Sequence, residues 1–212
     1  MIKKTIGIII LIFFLLICVQ PSFATVLISG DGTWGDFVGN LTYNPITATT
    51  ARLSITLTNT SPITNGGFLT GFVFNNPLNS ITGITSTSFT NTNFQLLGLS
   101  NNGISASPYG GFDIGAALGG NFLGGGKPQD GIYVNDSAEF IFYLAGNALN
   151  TLNESSFINE MANGSNVYFL TRFRGFNNGE SNKTPASPEP ASLSLLGLGL
   201  LGLAKLKRKK TK

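Results

Sequence analysis

The fold class follows from the stretch RLSITLT at residues 52–58. Apolar and hydroxyl side chains alternate along it without interruption: Leu53, Ile55 and Leu57 fall on one side, and Ser54, Thr56 and Thr58 on the other. Successive side chains of a β-strand point to opposite faces, so this period of two predicts a strand with one buried and one solvated face. Such half-buried strands are typical of antiparallel sheets.

The same period of two recurs across residues 25–180, in short runs bounded by Gly, Asn and Pro. Further runs lie at 68–74, 93–99, 138–144 and 167–174. Turn-forming clusters between runs include Thr64-Asn65-Gly66-Gly67 and Asp130-Gly131. Short strands with turns between them predict an all-β domain, an antiparallel β-sandwich of the jelly-roll or immunoglobulin-like type.

One short helix is predicted within the strand pattern. Thr151 and Glu154 have the spacing of a capping box, and Phe157, Ile158 and Met161 follow at helical spacing. The glycine-rich stretch 119–126 predicts a loop inside the domain. It is not a phosphate-binding P-loop, because Asn121 replaces the first glycine of that motif and Pro128 replaces its Ser or Thr.

Positive charge is concentrated at the two ends of the chain. The sequence has 13 Lys and Arg residues and 10 Asp and Glu residues, a formal net charge of +3. Eight of the basic residues are terminal: Lys3, Lys4, Lys205, Lys207, Arg208, Lys209, Lys210 and Lys212. The remaining five stand against ten acids, 5 − 10 = −5, so the middle of the chain is acidic. This charge argues against a nucleic-acid partner.

The chain has no histidine, and its one cysteine is Cys18. Without histidine or a second thiol, the usual nucleophile and base pairs of hydrolases cannot be built, and the commonest metal ligand is missing. Because Cys18 lies in the N-terminal apolar run, a chain cleaved behind that run has no disulfide. Its stability then depends on packing alone.

Residues 1–24 have the three parts of a secretory signal peptide. Lys3 and Lys4 precede an apolar run over 6–19, and Ser22-Phe23-Ala24 supplies the small residues that signal peptidase accepts. We predict an N-terminal signal helix that signal peptidase removes after Ala24. The alternative is an uncleaved anchor, but an apolar run of about 14 residues is short of the about 20 that a membrane span needs.

Residues 188–212 also have three parts. Pro188-Glu189-Pro190 precedes an apolar, glycine-rich run over 191–204, and a basic end follows over 205–212. This order predicts a transmembrane helix in the lipid bilayer, with a cytoplasmic stop-transfer cluster made of Lys205, Lys207, Arg208, Lys209 and Lys210. The run reaches about 21 Å as a helix, against a hydrocarbon core of about 30 Å. A buried core helix is the alternative. The polar residues 181–187 predict a linker to the β-sandwich at 25–180.

This tail closely resembles the PEP-CTERM sorting signal of Gram-negative bacteria and cyanobacteria, a segment also called the ice-binding protein C-terminal domain. The resemblance implies that exosortase, a membrane enzyme, recognises Pro188, Glu189 and Pro190 and removes the tail nearby. The central domain in turn resembles uncharacterised ectodomains that accompany such tails, through the stretches 57–62 (LTNTSP), 71–77 (GFVFNNP) and 172–176 (RFRGF). That second resemblance implies no activity.

Acidic residues supply the candidates for catalysis and metal binding. A carboxylate pair of the kind that glycosidases use would come from Glu139, Glu154, Glu160, Asp113 and Asp130. Asp31, Asp36, Asp130 and Asp136 lie among Gly and Asn, in loops of the kind that hold calcium. The simpler interpretation of both sets is solvated or turn-forming acids. We therefore expect no catalytic residue and no cofactor, with calcium as the alternative.

Aromatic, hydroxyl and basic side chains supply the candidates for binding. Sugar rings would stack on Trp34, Tyr43, Tyr109 and Tyr133 if these were exposed on one face, although such residues more often complete a core. One outward-facing row consists of Ser54, Thr56, Thr58 and Thr60. It is similar to an ice-binding array, but a Thr-rich solvent face is also ordinary for a secreted sheet. Arg172 and Arg174 are predicted to pair with surface acids across strands.

The sequence thus favours an exported protein of the cell surface or extracellular matrix. It would be non-enzymatic, structural or adhesive, and processed at its tail by an exosortase-like membrane enzyme. A carbohydrate-binding module that contacts extracellular polysaccharide is the alternative, and a polysaccharide-active enzyme with paired carboxylates is the second alternative.

Overall fold

The computed structural model of the chain describes residues 24–187. The strands are β1 (Thr25–Gly30), β2 (Phe37–Pro45), β3 (Thr50–Asn59), β4 (Gly66–Phe74), β5 (Ile81–Phe89), β6 (Phe94–Ser105), β7 (Gly111–Leu118), β8 (Ser137–Gly146), β9 (Phe169–Phe176) and β10 (Ser181–Pro185). The helix α1 is Glu154–Asn159, and short 3₁₀ turns occupy Pro77–Asn79, Pro128–Asp130 and Leu149–Thr151. Of the predicted signal helix only Ala24 is described, and the predicted transmembrane helix lies outside this range.

Two five-stranded antiparallel sheets pack face to face. The first has the order β1-β2-β3-β8-β5, and the second β10-β9-β4-β7-β6. The predicted antiparallel β-sandwich is therefore confirmed. The neighbours β2-β3-β8 and β10-β9-β4 correspond to the A-B-E and G-F-C strands of an immunoglobulin-type sandwich, so this alternative is the closer of the two. By the same correspondence β5, beside β8, takes the place of strand D, and β6 and β7 extend the second sheet beyond the C equivalent β4.

Alternation identified five of the ten strands: β3, β4 and β8 contain predicted runs, and β6 and β9 overlap them. β2 also alternates in burial, although no run was predicted there. β7 does not alternate, for a physical reason. Its sequence GFDIGAAL is buried at every position after Gly111, because one face meets the opposite sheet and the other lies under loops. A strand buried on both faces does not alternate in polarity.

The predicted short helix is confirmed, but it ends at Asn159, before the predicted Met161, and its cap is different. Asn153 is the N-cap residue: its side chain accepts from Ser156 N, and Ser156 Oγ accepts from Asn153 N, each at 3.1 Å. The predicted Thr151 and Glu154 capping box is wrong, because the Thr151 hydroxyl bonds Ala148 O instead, at 2.7 Å. No helix in residues 24–187 is long and apolar enough to cross a membrane.

Phenylalanine rings fill the space between the two sheets. The ring of Phe72 on β4 lies 4.7 Å from that of Phe140 and 6.3 Å from that of Phe142, both on β8 in the opposite sheet. It also stacks on the rings of Phe169 (5.6 Å) and Phe74 (6.4 Å) in its own sheet. All five side chains are fully buried. Phe72 is therefore a central contact between the sheets.

A second, smaller core lies on the outer face of the second sheet. It comprises Val73, Ala106, Phe112, Phe122, Ala162 and Leu170. The predicted glycine-rich loop 119–126 is confirmed as a loop, and Phe122 anchors it because only 3% of that side chain is exposed. Loops therefore cover part of the outer face, which explains the apolar side chains on both sides of β4 and β7.

A buried amide connects the loops at one end of the sandwich. Asn59 has no exposed surface and donates through Nδ2 to Gly67 O at 3.2 Å and to Ile132 O at 2.9 Å. Its Oδ1 accepts from Ser61 N at 3.1 Å and from Ser61 Oγ at 2.6 Å. The bonds to Gly67 and Ile132 join other segments to the end of β3, and the two bonds from Ser61 fix the turn that follows it.

The predicted linker at 181–187 is wrong, because most of it is strand β10. Ser181–Pro185 pairs antiparallel with β9, in register from Ser181 opposite Arg174 to Pro185 opposite Leu170. Thr184 is fully buried and donates from Oγ1 to Gly35 O at 2.5 Å. The ordered domain therefore continues past residue 180 to Ser187.

Candidate functional site

The candidate catalytic acids are hydrogen-bond acceptors for the fold. Asp113 is buried and accepts from Asn76 N at 2.9 Å and from Asn102 N at 2.6 Å. Three other acids also accept hydrogen bonds. Glu154 accepts from Tyr43 N at 3.2 Å, and Glu160 accepts from Leu78 N at 3.2 Å. Glu139 accepts from Ser54 Oγ at 2.7 Å. Asp130 ends the 3₁₀ turn at Pro128–Asp130. Glu154 begins α1 and Glu160 follows its last residue, and Asp113 and Glu160 bond the nearby residues Asn76 and Leu78. Four of the five acids therefore accept hydrogen bonds that support the fold.

The candidate calcium ligands do not gather into one cluster. Asp36 lies between β1 and β2 and accepts from Gly32 N at 3.0 Å. Burial raises the pKa of Asp36 above 3.8, and neighbouring Asp31 adds to this, while the bond from Gly32 opposes it. Asp130 and Asp136 lie in turns before β8. Across residues 24–187 no group of three or more acids is placed to hold a metal ion.

The candidate aromatic residues do not share a face. Tyr43 is buried, its hydroxyl donates to Leu149 O at 2.8 Å, and burial raises its pKa to about 12. Trp34 is half-buried against Phe176, with 6.1 Å between ring centroids. Tyr133 is exposed beside Phe68. Tyr109 is half-buried at the edge of the second core and borders a surface pocket.

The candidate hydroxyl row forms part of a polar outer face on the first sheet. Ser54, Thr56 and Thr58 lie on β3 and point away from the core, whereas Thr60 follows the end of the strand. The Thr58 and Ser137 hydroxyls bond each other at 2.7 Å across to β8. Thr25 and Thr42 on β1 and β2 continue the rank that begins at Ser54. This is a solvated face whose hydroxyls are partly bonded to one another.

The prediction that Arg172 and Arg174 pair with acids is wrong. The single ion pair within residues 24–187 joins Arg52 to Glu139, with Nη2 and Oε1 3.9 Å apart, on the first sheet. Arg174 instead donates to Gly125 O at 2.5 Å and Gly126 O at 3.4 Å, and so holds the glycine-rich loop. Arg172 lies opposite Lys183, another cation.

The residues just before the C-terminal tail are fixed to the sandwich. Ala186 N donates to Phe169 O and Ser187 N donates to Ser29 O, each at 2.8 Å, and the Tyr168 hydroxyl donates to Ser187 O at 3.2 Å. Ser187 thus joins β1 of the first sheet while continuing from β10 of the second. Ala24, behind which cleavage is predicted, is exposed and immediately precedes β1.

The tail that follows Ser187 matches a known family model. Residues 188–209 match the model of the PEP-CTERM protein-sorting motif. The chain carries a PEP-CTERM sorting motif. The motif implies export, C-terminal anchoring at the cell envelope and an exosortase-type processing partner in the membrane. No curated protein and no solved structure matches the chain significantly.

The predicted motif residues of the PEP-CTERM tail lie beyond the part of the chain that the structure describes. These are Pro188, Glu189, Pro190, Lys205, Lys207, Arg208, Lys209 and Lys210. What the structure adds is the point of attachment, since the motif begins one residue after a hydrogen-bonded contact between the sheets. The sequence contains a feature that could have predicted strand β10 and hence this attachment. Asn178-Gly179 forms the hairpin turn between β9 and β10.

Proposed function

We propose that this is an exported protein of the cell surface or extracellular matrix, with a structural or adhesive and non-enzymatic role. An exosortase-like enzyme processes it at the PEP-CTERM motif. The observation that carries the proposal is the direct attachment of the sorting motif to a rigid, hydroxyl-rich sandwich at Ser187. The folded domain is then the exported cargo.

The short attachment places the domain close to the bilayer before processing. Three residues lie between Ser187 and Ala191, where the predicted span begins, so the two are four residue steps apart. An extended chain covers at most about 3.6 Å per residue, so this distance is at most about 14 Å. The sandwich would be held against the membrane surface until the tail is cut.

The non-enzymatic role is supported by how the acids are used. Asp113, Glu154 and Glu160 each accept a hydrogen bond from a backbone N–H of another segment. Glu139 is engaged by Ser54 and Arg52. A general acid or nucleophile needs a carboxylate that faces substrate. A role as hydrogen-bond acceptors that support the fold explains these four residues more simply than a catalytic role does.

The test is the mass of the protein from cells with and without the processing enzyme. We expect a start at Thr25 in both, loss of the tail near Pro188-Glu189-Pro190 only when the enzyme is present, and retention in the membrane fraction without it. Glu189→Ala should retain the tail, whereas the matched control Glu180→Ala, on the exposed turn before β10, should be processed normally. The same intact C-terminus in both strains would contradict the proposal.

Carbohydrate binding is a second candidate function, favoured by one feature. Tyr109 borders a pocket on the second sheet together with the polar residues Ser181 and Asn182. An aromatic ring beside polar groups is a common arrangement for sugar binding.

A further inference from the structure

Three cations lie together on the outer face of the second sheet. Arg172 on β9 stands directly opposite Lys183 on β10, and Arg174 is two residues further along the same face of β9. They are three of the five basic residues between residues 24 and 187. The surrounding chain is acidic, so a concentration of positive charge here is not a property of the whole surface.

No acid neutralises this cluster within the described residues. The one ion pair there is Arg52 with Glu139, on the opposite sheet. Lys183 Nζ donates to Ser107 O, and Arg174 donates to two glycine carbonyls, all of which are uncharged. Glu180, the nearest acid along the chain, is exposed on the turn before β10 and forms no ion pair.

Arg172 has the least satisfied side chain of the three. Its Nε is buried and has no hydrogen-bond partner in the part of the chain that the structure describes. Burial, and then the charge of Arg174, lower the pKa of Arg172, and burial followed by the charge of Arg172 lowers the pKa of Lys183. A buried donor without an acceptor and neighbouring like charges both destabilise the folded state. An anion bound here would accept a hydrogen bond from Arg172 and reduce the repulsion among the three cations.

A pocket opens at this cluster. Its volume is about 260 Å³, and it is lined by Pro108, Tyr109, Arg172, Ser181, Asn182 and Lys183. The wall at Tyr109 is fixed, because Ser165 Oγ donates to Tyr109 O at 2.6 Å and the side chain packs on the second core. A guanidinium group binds a carboxylate through paired hydrogen bonds, and an aromatic ring packs on a sugar face.

We propose that this pocket binds the carboxylate of an acidic sugar residue, as found in an anionic extracellular polysaccharide. Arg172 and Lys183 contact the carboxylate, Ser181 bonds a ring hydroxyl, and Tyr109 packs beside the ring. The proposal rests on the proposed function, since export brings the pocket to such polymers, and it specifies the ligand class for the second candidate function.

The test is calorimetric titration of the full chain, purified in non-ionic detergent, with a galacturonic acid oligomer. Arms of the experiment use the methyl-esterified oligomer, polyglutamate and inorganic sulfate at equal ionic strength. We expect binding of the acidic oligomer alone. Arg172→Gln should weaken it about tenfold or more, the range for a lost charged hydrogen bond. The matched control Arg52→Gln makes the same charge change on the opposite sheet and should change affinity less than about twofold.

Lys183→Gln is the second variant, because Lys183 lies on an edge strand and Arg172→Gln could disturb β9. It too should weaken binding about tenfold, with thermal unfolding unchanged. Three results would each overturn the proposal. They are a failure of the acidic oligomer to bind, binding of polyglutamate or sulfate that is as tight as that of the oligomer, and a loss of affinity in Arg52→Gln that is as large as in the pocket variants. None of these results alters the processing test, so the two proposals fail separately.

Discussion

The replacement Phe72→Ala tests whether ring packing between the sheets is what stabilises this domain. Phe72 contacts four other phenylalanine rings, at centroid distances of 4.7 to 6.4 Å, and is fully buried. The only cysteine of the chain is Cys18, so residues 24–187 contain no disulfide that could compensate. The loss should therefore appear undiminished in the free energy of unfolding.

The expected size of the loss follows from what is removed. Phe to Ala changes in cores cost about 3 to 5 kcal/mol, from lost burial and the cavity left behind. Because the ring bridges both sheets and neighbouring side chains are themselves rings, collapse into the cavity is restricted, and we expect about 4 kcal/mol. That is a large share of the about 5 to 15 kcal/mol typical of a domain. The melting temperature should fall by about 8 to 16 °C.

Urea unfolding followed by circular dichroism measures this change. The midpoint should shift while the slope stays constant, as expected when the native state alone is weakened. Tyr133→Ala is the control, because Tyr133 is 47% exposed and, among the aromatic rings of residues 24–187, its ring contacts that of Phe68, at 5.3 Å. It should cost less than about 1.5 kcal/mol. If Phe72→Ala costs no more than this control, the ring cluster is not what holds the two sheets together.

Three further predictions follow from other contacts. Asn59→Ala should cost at least about 2 kcal/mol in urea unfolding, because it removes the four hydrogen bonds of a fully buried side chain; a loss below about 0.5 kcal/mol would refute this. Asp36→Asn keeps an acceptor for Gly32 N and removes a carboxylate whose pKa is raised, so it should be at least as stable as wild type at pH 7. That advantage should vanish below about pH 4, where wild-type Asp36 is protonated in both states; a more stable wild type at pH 7 would contradict it. A Gly-Ser insertion between Ser187 and Pro188 should speed removal of the tail in pulse-chase mass measurements, because it frees the motif from the sandwich; an unchanged rate would show that the enzyme reaches the motif beside the folded domain.

The sequence was sufficient for the fold class because one face of most predicted strands is solvated. In β3 the buried Leu53, Ile55 and Leu57 alternate with half-exposed hydroxyl residues, and the pattern is visible without any partner. In β7 both faces are buried, and the second core that covers its outer face comes from loops distant in sequence. The sequence pattern of β7 alone cannot show that loops from distant parts of the chain cover its outer face.

The candidate pocket could not be predicted from the sequence for a related reason. Its charge cluster exists only because β10 pairs with β9 and brings Lys183 opposite Arg172. Ser181–Pro185 is a polar edge strand with one deeply buried side chain, Thr184, so its composition is the same as that of a linker. The alternation of Arg172 and Arg174 along β9 does not show that their neighbour across the strand pair is another cation. One unrecognised strand therefore concealed both the fixed attachment of the sorting motif and the cationic pocket beside it.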